Sequence, residues 1–272
     1  MSSPTSHPLT GFIGGGNMAL AIIGGLRRAG VPAERLRVVE PVPEQRERLR
    51  QATGVEAMAA ADDRLAPCEA IVWAVKPQHF ADAAAACQGM TTRALHLSIM
   101  AGVRCASLGT ATGAQRLVRA MPNTPALIGR GISGLYAVDA VDADSRHWAA
   151  SLLQTCGSVV WVDHEADLDA VTALSGSGPA YIFYFIEAMV QAGTEMGLSA
   201  AIARQLAQET FAGAAALAMQ SPESPQTLRE RVTSKGGTTA AALAHLNAHG
   251  VGQHFAQALH AARQRAEELG RS

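Results

Sequence analysis

The sequence predicts an α/β protein in which a doubly wound, mostly parallel sheet is followed by an all-helical domain. Three observations carry that prediction. Short apolar runs alternate with Ala-, Leu-, Arg- and Gln-rich segments of helical length as far as Asp163. A glycine-rich turn joins the first apolar run to the first helical segment. Beyond Asp163 the strand-like runs stop and long Ala-rich stretches follow.

Taken in order, residues 1–8 are rich in Ser and Pro and are expected to be disordered. The apolar runs at 9–13, 36–40, 69–75, 94–99, 116–120, 132–138 and 159–162 are short and bounded by turn or polar residues, so they read as strands. Segments 19–29, 43–52, 78–87 and 143–156 read as the helices between them. Such alternation calls for a sheet with helices on both faces. In the second half, 179–196, 199–220, 239–248 and 252–269 read as helices. In the last of these Phe255, Leu259, Ala262 and Ala266 recur at helical spacing, and Arg263, Arg265, Glu267 and Glu268 suit a solvated face. The expected division is a dinucleotide-binding domain over 1–165 and a helical domain over 166–272. So much alanine lets helices approach closely, which suits a helix-on-helix dimer.

Composition narrows the function classes. With 48% hydrophobic and 17% charged residues the chain is too apolar to be disordered. A net charge of −1 gives no field favouring nucleic acid or an anionic membrane, so neither is an expected partner. Residues 9–26 carry no charge and approach the ~20 residues of a membrane span. Gly14, Gly15, Gly16 and Asn17 interrupt them, so they read as strand, turn and buried helix of a cytoplasmic protein. Cys68, Cys87, Cys105 and Cys156 show neither zinc nor disulfide spacing and read as buried thiols in a reducing compartment. His245, His249 and His254 gather near a helix end, but no Glu follows His245 as in HExxH, so no metal site is expected.

The chemistry is carried by turns. Gly14, Gly16 and Ala19 form GxGxxA after a strand and at the start of a helix. The first glycine makes the turn, the second admits a pyrophosphate, and the small third residue lets helix and strand pack closely. Glu40 ends the second strand, where a carboxylate binds a ribose 2′-hydroxyl. It leans the choice toward NADH over NADPH, although Arg46 is near enough in sequence to reach a 2′-phosphate. Ala74, Val75, Lys76 and Pro77 end another strand at the ligand-binding edge of the sheet, with Lys76 either a contact or a solvated charge. Met121-Pro122-Asn123-Thr124-Pro125 is a rigid turn. Ser175-Gly176-Ser177-Gly178-Pro179-Ala180-Tyr181 opens a helix and either holds a polar group or merely caps it. Tyr181 reads as a packing residue rather than a proton donor. The run from Arg231 to Ala240 brings a Gly236-Gly237 turn and then Thr238 and Thr239 to a helix start, presenting amides to a carboxylate and a hydroxyl to a neighbouring atom.

Together GFIGGGNM, AVKP, RAMPNTPALIG, SGSGPAY and VTSKGGTTAAAL, in this order, resemble the Δ1-pyrroline-5-carboxylate reductase family over nearly the whole chain. The resemblance implies an N-terminal Rossmann-type sheet domain, a C-terminal all-helical dimerisation domain, and a homodimer that can assemble further into a decamer. It implies reduction of L-1-pyrroline-5-carboxylate to L-proline by NAD(P)H, the last step of proline biosynthesis. Cofactor contacts would fall on Ile13, Gly14, Gly15, Gly16, Asn17 and Met18, on Ala74 to Pro77, and on Ile99, Met100, Ala101 and Gly102. The substrate, a small imine carboxylate, would meet Ser177, Ser234, Gly236, Gly237, Thr238 and Thr239, with Thr239 next to the ring nitrogen. Two positions depart from the family pattern: Lys235 stands where proline is usual, and Pro222 where glutamate is frequent, with Glu223 beside it. A protonated imine already carries its proton, which accounts for the lack of an evident catalytic His or Asp.

Two rivals remain. A β-hydroxyacid-type dehydrogenase would need a lysine on a C-terminal helix, and the only lysines are Lys76 and Lys235. A nucleotide-sensing scaffold would have no need of intact GGTT and SGSGP turns.

Overall fold

Strand β1 (Thr10–Ile13) is buried on both faces, Phe12 joining one hydrophobic core and Ile13 another. That is the signature of a central strand covered on both sides. The computed structural model describes residues 7–271; of the segment expected to be disordered, residues 1–6 lie outside the described residues. The same alternation recurs in β4 (Ala70–Trp73), where Ala70 and Val72 face the first core and Ile71 and Trp73 the second. Fully buried side chains such as Ile22 and Leu97 each contribute about 2 kcal/mol.

The sheet is completed by β2 (Leu36–Val39), β3 (Ala57–Met58), β5 (Leu95–Ser98), β6 (Leu117–Met121), β7 (Gly131–Ala137) and β8 (Gly157–Trp161). Its order is β3-β2-β1-β4-β5-β6-β7-β8. Every neighbouring pair is parallel except β6 with β7, where Met121 faces Gly134. The link between those two strands holds only the 3₁₀ turn Thr124–Ile128, too short for a crossover helix, so the chain returns antiparallel. Order reverses between β1 and β4, and ligands bind at such a switch point outside the carboxyl ends of the strands.

Around the sheet run α1 (Asn17–Arg28), α2 (Pro43–Thr53), α3 (Phe80–Ala86), α4 (Cys105–Thr112), α5 (Ala143–Gln154) and α6 (Asp167–Val171). The charge-free stretch 9–26 is thus β1, a turn and most of α1. Among the described residues no helix is long and apolar enough to cross a membrane.

The chain forms two compact units. One runs to Ser177 and takes in the residues from Ala262 onward; the other is Gly178–Ala261. The second contains α7 (Gly178–Glu195), α8 (Ala200–Gln220), α9 (Pro225–Arg231), α10 (Thr238–Ala248) and the first part of α11 (Val251–Leu269). Helices α7 and α8 touch where Gly193 meets Ala203; a Cβ on Gly193 would lie 2.9 Å from that of Ala203. Small residues therefore set the spacing. Tyr181 packs edge-on to Phe255 at 5.8 Å, in keeping with a packing role.

Candidate active site

Gly14 leaves β1 with φ +101°, and a Cβ there would sit 2.6 Å from the carbonyl oxygen of Ala74. Only glycine can make this turn against β4. Gly16 is the N-cap of α1; it offers no side-chain cap, and a Cβ placed on it would meet nothing within 4 Å. The first amides of α1 therefore lack a side-chain cap and sit at the positive end of the helix dipole. Ala19, 1% exposed, lets α1 pack down behind the turn. These features form a cradle for a pyrophosphate, and the residues present fit a dinucleotide.

Glu40 is buried beside this turn. Its Oε2 accepts the Gly15 N–H at 2.8 Å and its Oε1 the Val42 N–H at 2.9 Å. A cavity of about 720 Å³ opens over the switch point. It brings together Ile13, Gly14, Gly16, Glu40, Ala74, Val75 and Lys76 from the sequence expectation. Gln45, Ala59, Ala60, Ala61, His79 and Asp82 also line it and were not anticipated. The three alanines follow β3, whose two residues carry no periodic signal. Cys87 closes one wall, its thiol pushed up to about 11 by burial.

Gly15 (its N–H taken by Glu40), Asn17 and Met18 in the first turn of α1, and Pro77 after β4 are not part of that wall. Asn17 instead accepts a bond from Arg48 at 2.7 Å. Ile99, Met100, Ala101 and Gly102 follow β5 and line none of this cavity. Their segment is braced from below. The backbone N–H of Cys105 donates to Glu165 at 2.7 Å, and the same oxygen accepts from Arg119 at 2.8 Å. Arg104 donates to the buried Asp169 at 2.6 Å. Gly102 itself lies against Leu269, whose carbonyl oxygen would be 3.1 Å from a Cβ.

After α6 the chain passes through a π-helical turn, Thr172–Gly176, in which Ser177 N–H donates to Thr172 O at 2.8 Å. Single π turns recur at functional sites. Asn123 ties the rigid 121–125 turn to it, donating to Ser175 O at 3.2 Å and accepting from Ile132 N–H at 3.0 Å. Ser177 thus caps this turn immediately before α7.

In the second unit, Gly236 takes φ +72° and Gly237 is the N-cap of α10. Gly237 N–H donates to Ser234 O at 3.0 Å, closing the turn. No side chain caps α10, so the amides of its first turn, Thr238 and Thr239 included, have no intrahelical acceptor. Ser234, Lys235, Gly236 and Thr238 are exposed, and Thr239 is half-buried. Arg231 pairs with Glu223 beside this loop. His245, His249 and His254 are all exposed, and the His249 ring bonds the carbonyl of His245 at 2.9 Å.

A glycine cradle at the β1/β4 switch, with a buried acid at the end of β2, defines a nicotinamide-dinucleotide oxidoreductase of the doubly wound class. Two family models agree: "NADP oxidoreductase coenzyme F420-dependent" matches residues 10–102, and "Pyrroline-5-carboxylate reductase dimerisation" matches residues 165–269. A pyrroline-5-carboxylate reductase of Pseudomonas aeruginosa is 44% identical over 97% of both chains. The solved structure of a pyrroline-5-carboxylate reductase from Coxiella burnetii superposes with TM-score 0.89 at 35% identity, covering 98% of this chain and 100% of that one. The Plasmodium falciparum pyrroline carboxylate reductase, solved with NADP bound, gives 0.87 at 28% identity with the same coverage. This chain belongs to the pyrroline-5-carboxylate reductase family.

Proposed function

We propose that this chain reduces L-1-pyrroline-5-carboxylate to L-proline, the last step of proline biosynthesis, with NAD(P)H as the reductant. The observation that carries it is the near-full-length likeness to reductases of this name, on a chain that keeps both the glycine cradle and the Gly-Gly-Thr-Thr helix start. The bound cofactor supplies the hydride that reduces the C=N bond.

The protein's part is binding and orientation. Residues Ile13 to Met18, Glu40 and Ala74 to Pro77 hold the dinucleotide, with Ile99 to Gly102 completing its surroundings. The free amides of Thr238 and Thr239, at the positive end of α10, hold the substrate carboxylate. Gly236, Gly237 and Ser234 shape that turn, Ser177 adds a hydroxyl, and the Thr239 hydroxyl approaches the ring nitrogen. A substrate that enters as the protonated imine needs no strong acid from the protein. The test is loss of NADH or NADPH absorbance with pyrroline-5-carboxylate; no turnover with either overturns the reading.

The assembly we propose is a homodimer formed through the second unit. There α7 exposes Ile182, Phe183, Tyr184 and Met189, and α8 exposes Ile202, Leu206, Leu217 and Met219. So much exposed apolar surface marks an interaction face. Light scattering tests this: a monomer overturns it, and a larger particle shows further assembly such as a decamer. The four buried free thiols suit the reducing cytoplasm, where we place the reaction.

A further inference from the structure

The side chain of Glu40 turns back into the glycine turn and is 7% exposed. Its two oxygens are held by the Gly15 and Val42 amides at 2.8 and 2.9 Å. Gly15 has no Cβ, and one placed there would lie 3.1 Å from Glu40 Cβ, so the acid packs closely against the turn. Two amides use only part of a carboxylate's acceptor capacity, roughly four lone-pair sites. Glu40 also lines the cavity. Beside Glu40 the wall continues through Pro41, Val42 and Gln45, none of them cationic. The guanidinium of Arg46 is not part of that wall; its Nη1 donates to the carbonyls of Glu40 and Pro41 at 3.0 and 2.8 Å. The lining basic residues, Lys76 and His79, stand on the turn after β4 instead.

We propose that Glu40 makes this chain an NADH-preferring reductase: its clamped carboxylate accepts the adenine-ribose 2′-hydroxyl and repels a 2′-phosphate. Repulsion between like charges is poorly screened inside a cavity, and no cationic side chain of the β2–α2 segment lines it. The inference rests on the dinucleotide binding at the β1 turn.

The test compares AMP with adenosine 2′,5′-bisphosphate on the wild-type chain by calorimetric titration, which does not depend on turnover. AMP is expected to bind roughly tenfold tighter or better, and Glu40→Gln to erase most of that difference. Steady-state rates with NADH and NADPH should show the same ratio, carried by KM rather than kcat. Equal or tighter binding of the bisphosphate by the wild type overturns the proposal. So does an unchanged ratio in Glu40→Gln; should that variant fail to fold, the wild-type comparison decides alone. Discrimination between the two nucleotides without turnover on pyrroline-5-carboxylate would sink the substrate reading and leave this one standing.

Discussion

The indole N–H of Trp73 donates to Nδ1 of His96 at 2.9 Å, and Nε2 of the same ring donates to the carbonyl of Thr91 at 2.9 Å. Both rings are fully buried between β4 and β5. The neutral tautomer satisfies both bonds, whereas a second proton would set N–H against N–H. Burial lowers the pKa of His96. Below about pH 6.5 the unfolded chain therefore binds a proton that the folded ring resists. Stability from this group is complete above that pH and lost as pH falls, by up to about 1.4 kcal/mol per pH unit. Urea unfolding across mildly acidic pH should show this slope in the wild type. It should be shallower in His96→Gln, and equal slopes would contradict the account.

Glu165 is the shared acceptor of Arg119 and of the Cys105 amide, and Arg119 is only 4% exposed. Removing Glu165 would strand a buried guanidinium. Glu165→Ala should cost about 3–5 kcal/mol, while Arg119→Met, which removes the charge and keeps the bulk, should cost less. Chemical denaturation checks the ranking; the reverse order would show that the pair is not what holds the segment before α4.

All four cysteines are free and buried. Burial pushes Cys68 and Cys87 up to about 11, and raises Cys156 as well. Burial, then the Glu165 carboxylate, pushes Cys105 to about 12. The thiolate is the reactive form, so the native protein should resist a thiol-specific disulfide reagent near neutral pH. Unfolding should release all four thiols. Rapid labelling of a native thiol would show that one of these sites opens.

Much of the first unit was legible because buried strands leave continuous apolar runs. Those at β1, β4 and β5 match the expected segments closely, and the glycine turn is a local signal. Strand β3 has two residues and no run to detect. Helix α4 is rich in Thr, Ser and Gly; it forms because Cys105 and Leu108 are buried, a tertiary effect that propensity misses. Helix α9 is short and polar, resting on its Ser224 cap. At the site, pattern placed Glu40 at the end of β2 but not its two backbone amides. The pairs Arg104–Asp169 and Arg119–Glu165 join distant parts of the chain and have no sequence period to betray them.

Thr239 lies in the first turn of α10, half-buried, after the Gly236-Gly237 turn. Thr239→Ala keeps the backbone amide and removes the hydroxyl. Turnover should fall by at least about tenfold, equivalent to ~1.4 kcal/mol, with the unfolding midpoint nearly unchanged. Thr239→Ser should restore most of the rate. An unaltered rate in the alanine variant would remove the hydroxyl from the reaction.

Gly14 and Gly16 lie two residues apart yet predict different failures. An alanine at 14 would need a left-handed φ of +101° and would drive its methyl to 2.6 Å from Ala74 O, which is backbone and cannot yield. Gly14→Ala should therefore destabilise the whole sheet domain by several kcal/mol, on the order of 2–4. An alanine at 16 meets no protein atom, and the observed φ of −67° suits any residue. Gly16→Ala should fold with wild-type stability, and its methyl would occupy the space where a pyrophosphate must approach the first turn of α1. Thermal melts paired with nucleotide titration separate the two: lost stability for the first, lost binding without lost stability for the second. Normal affinity in Gly16→Ala would mean that the phosphates do not approach this turn.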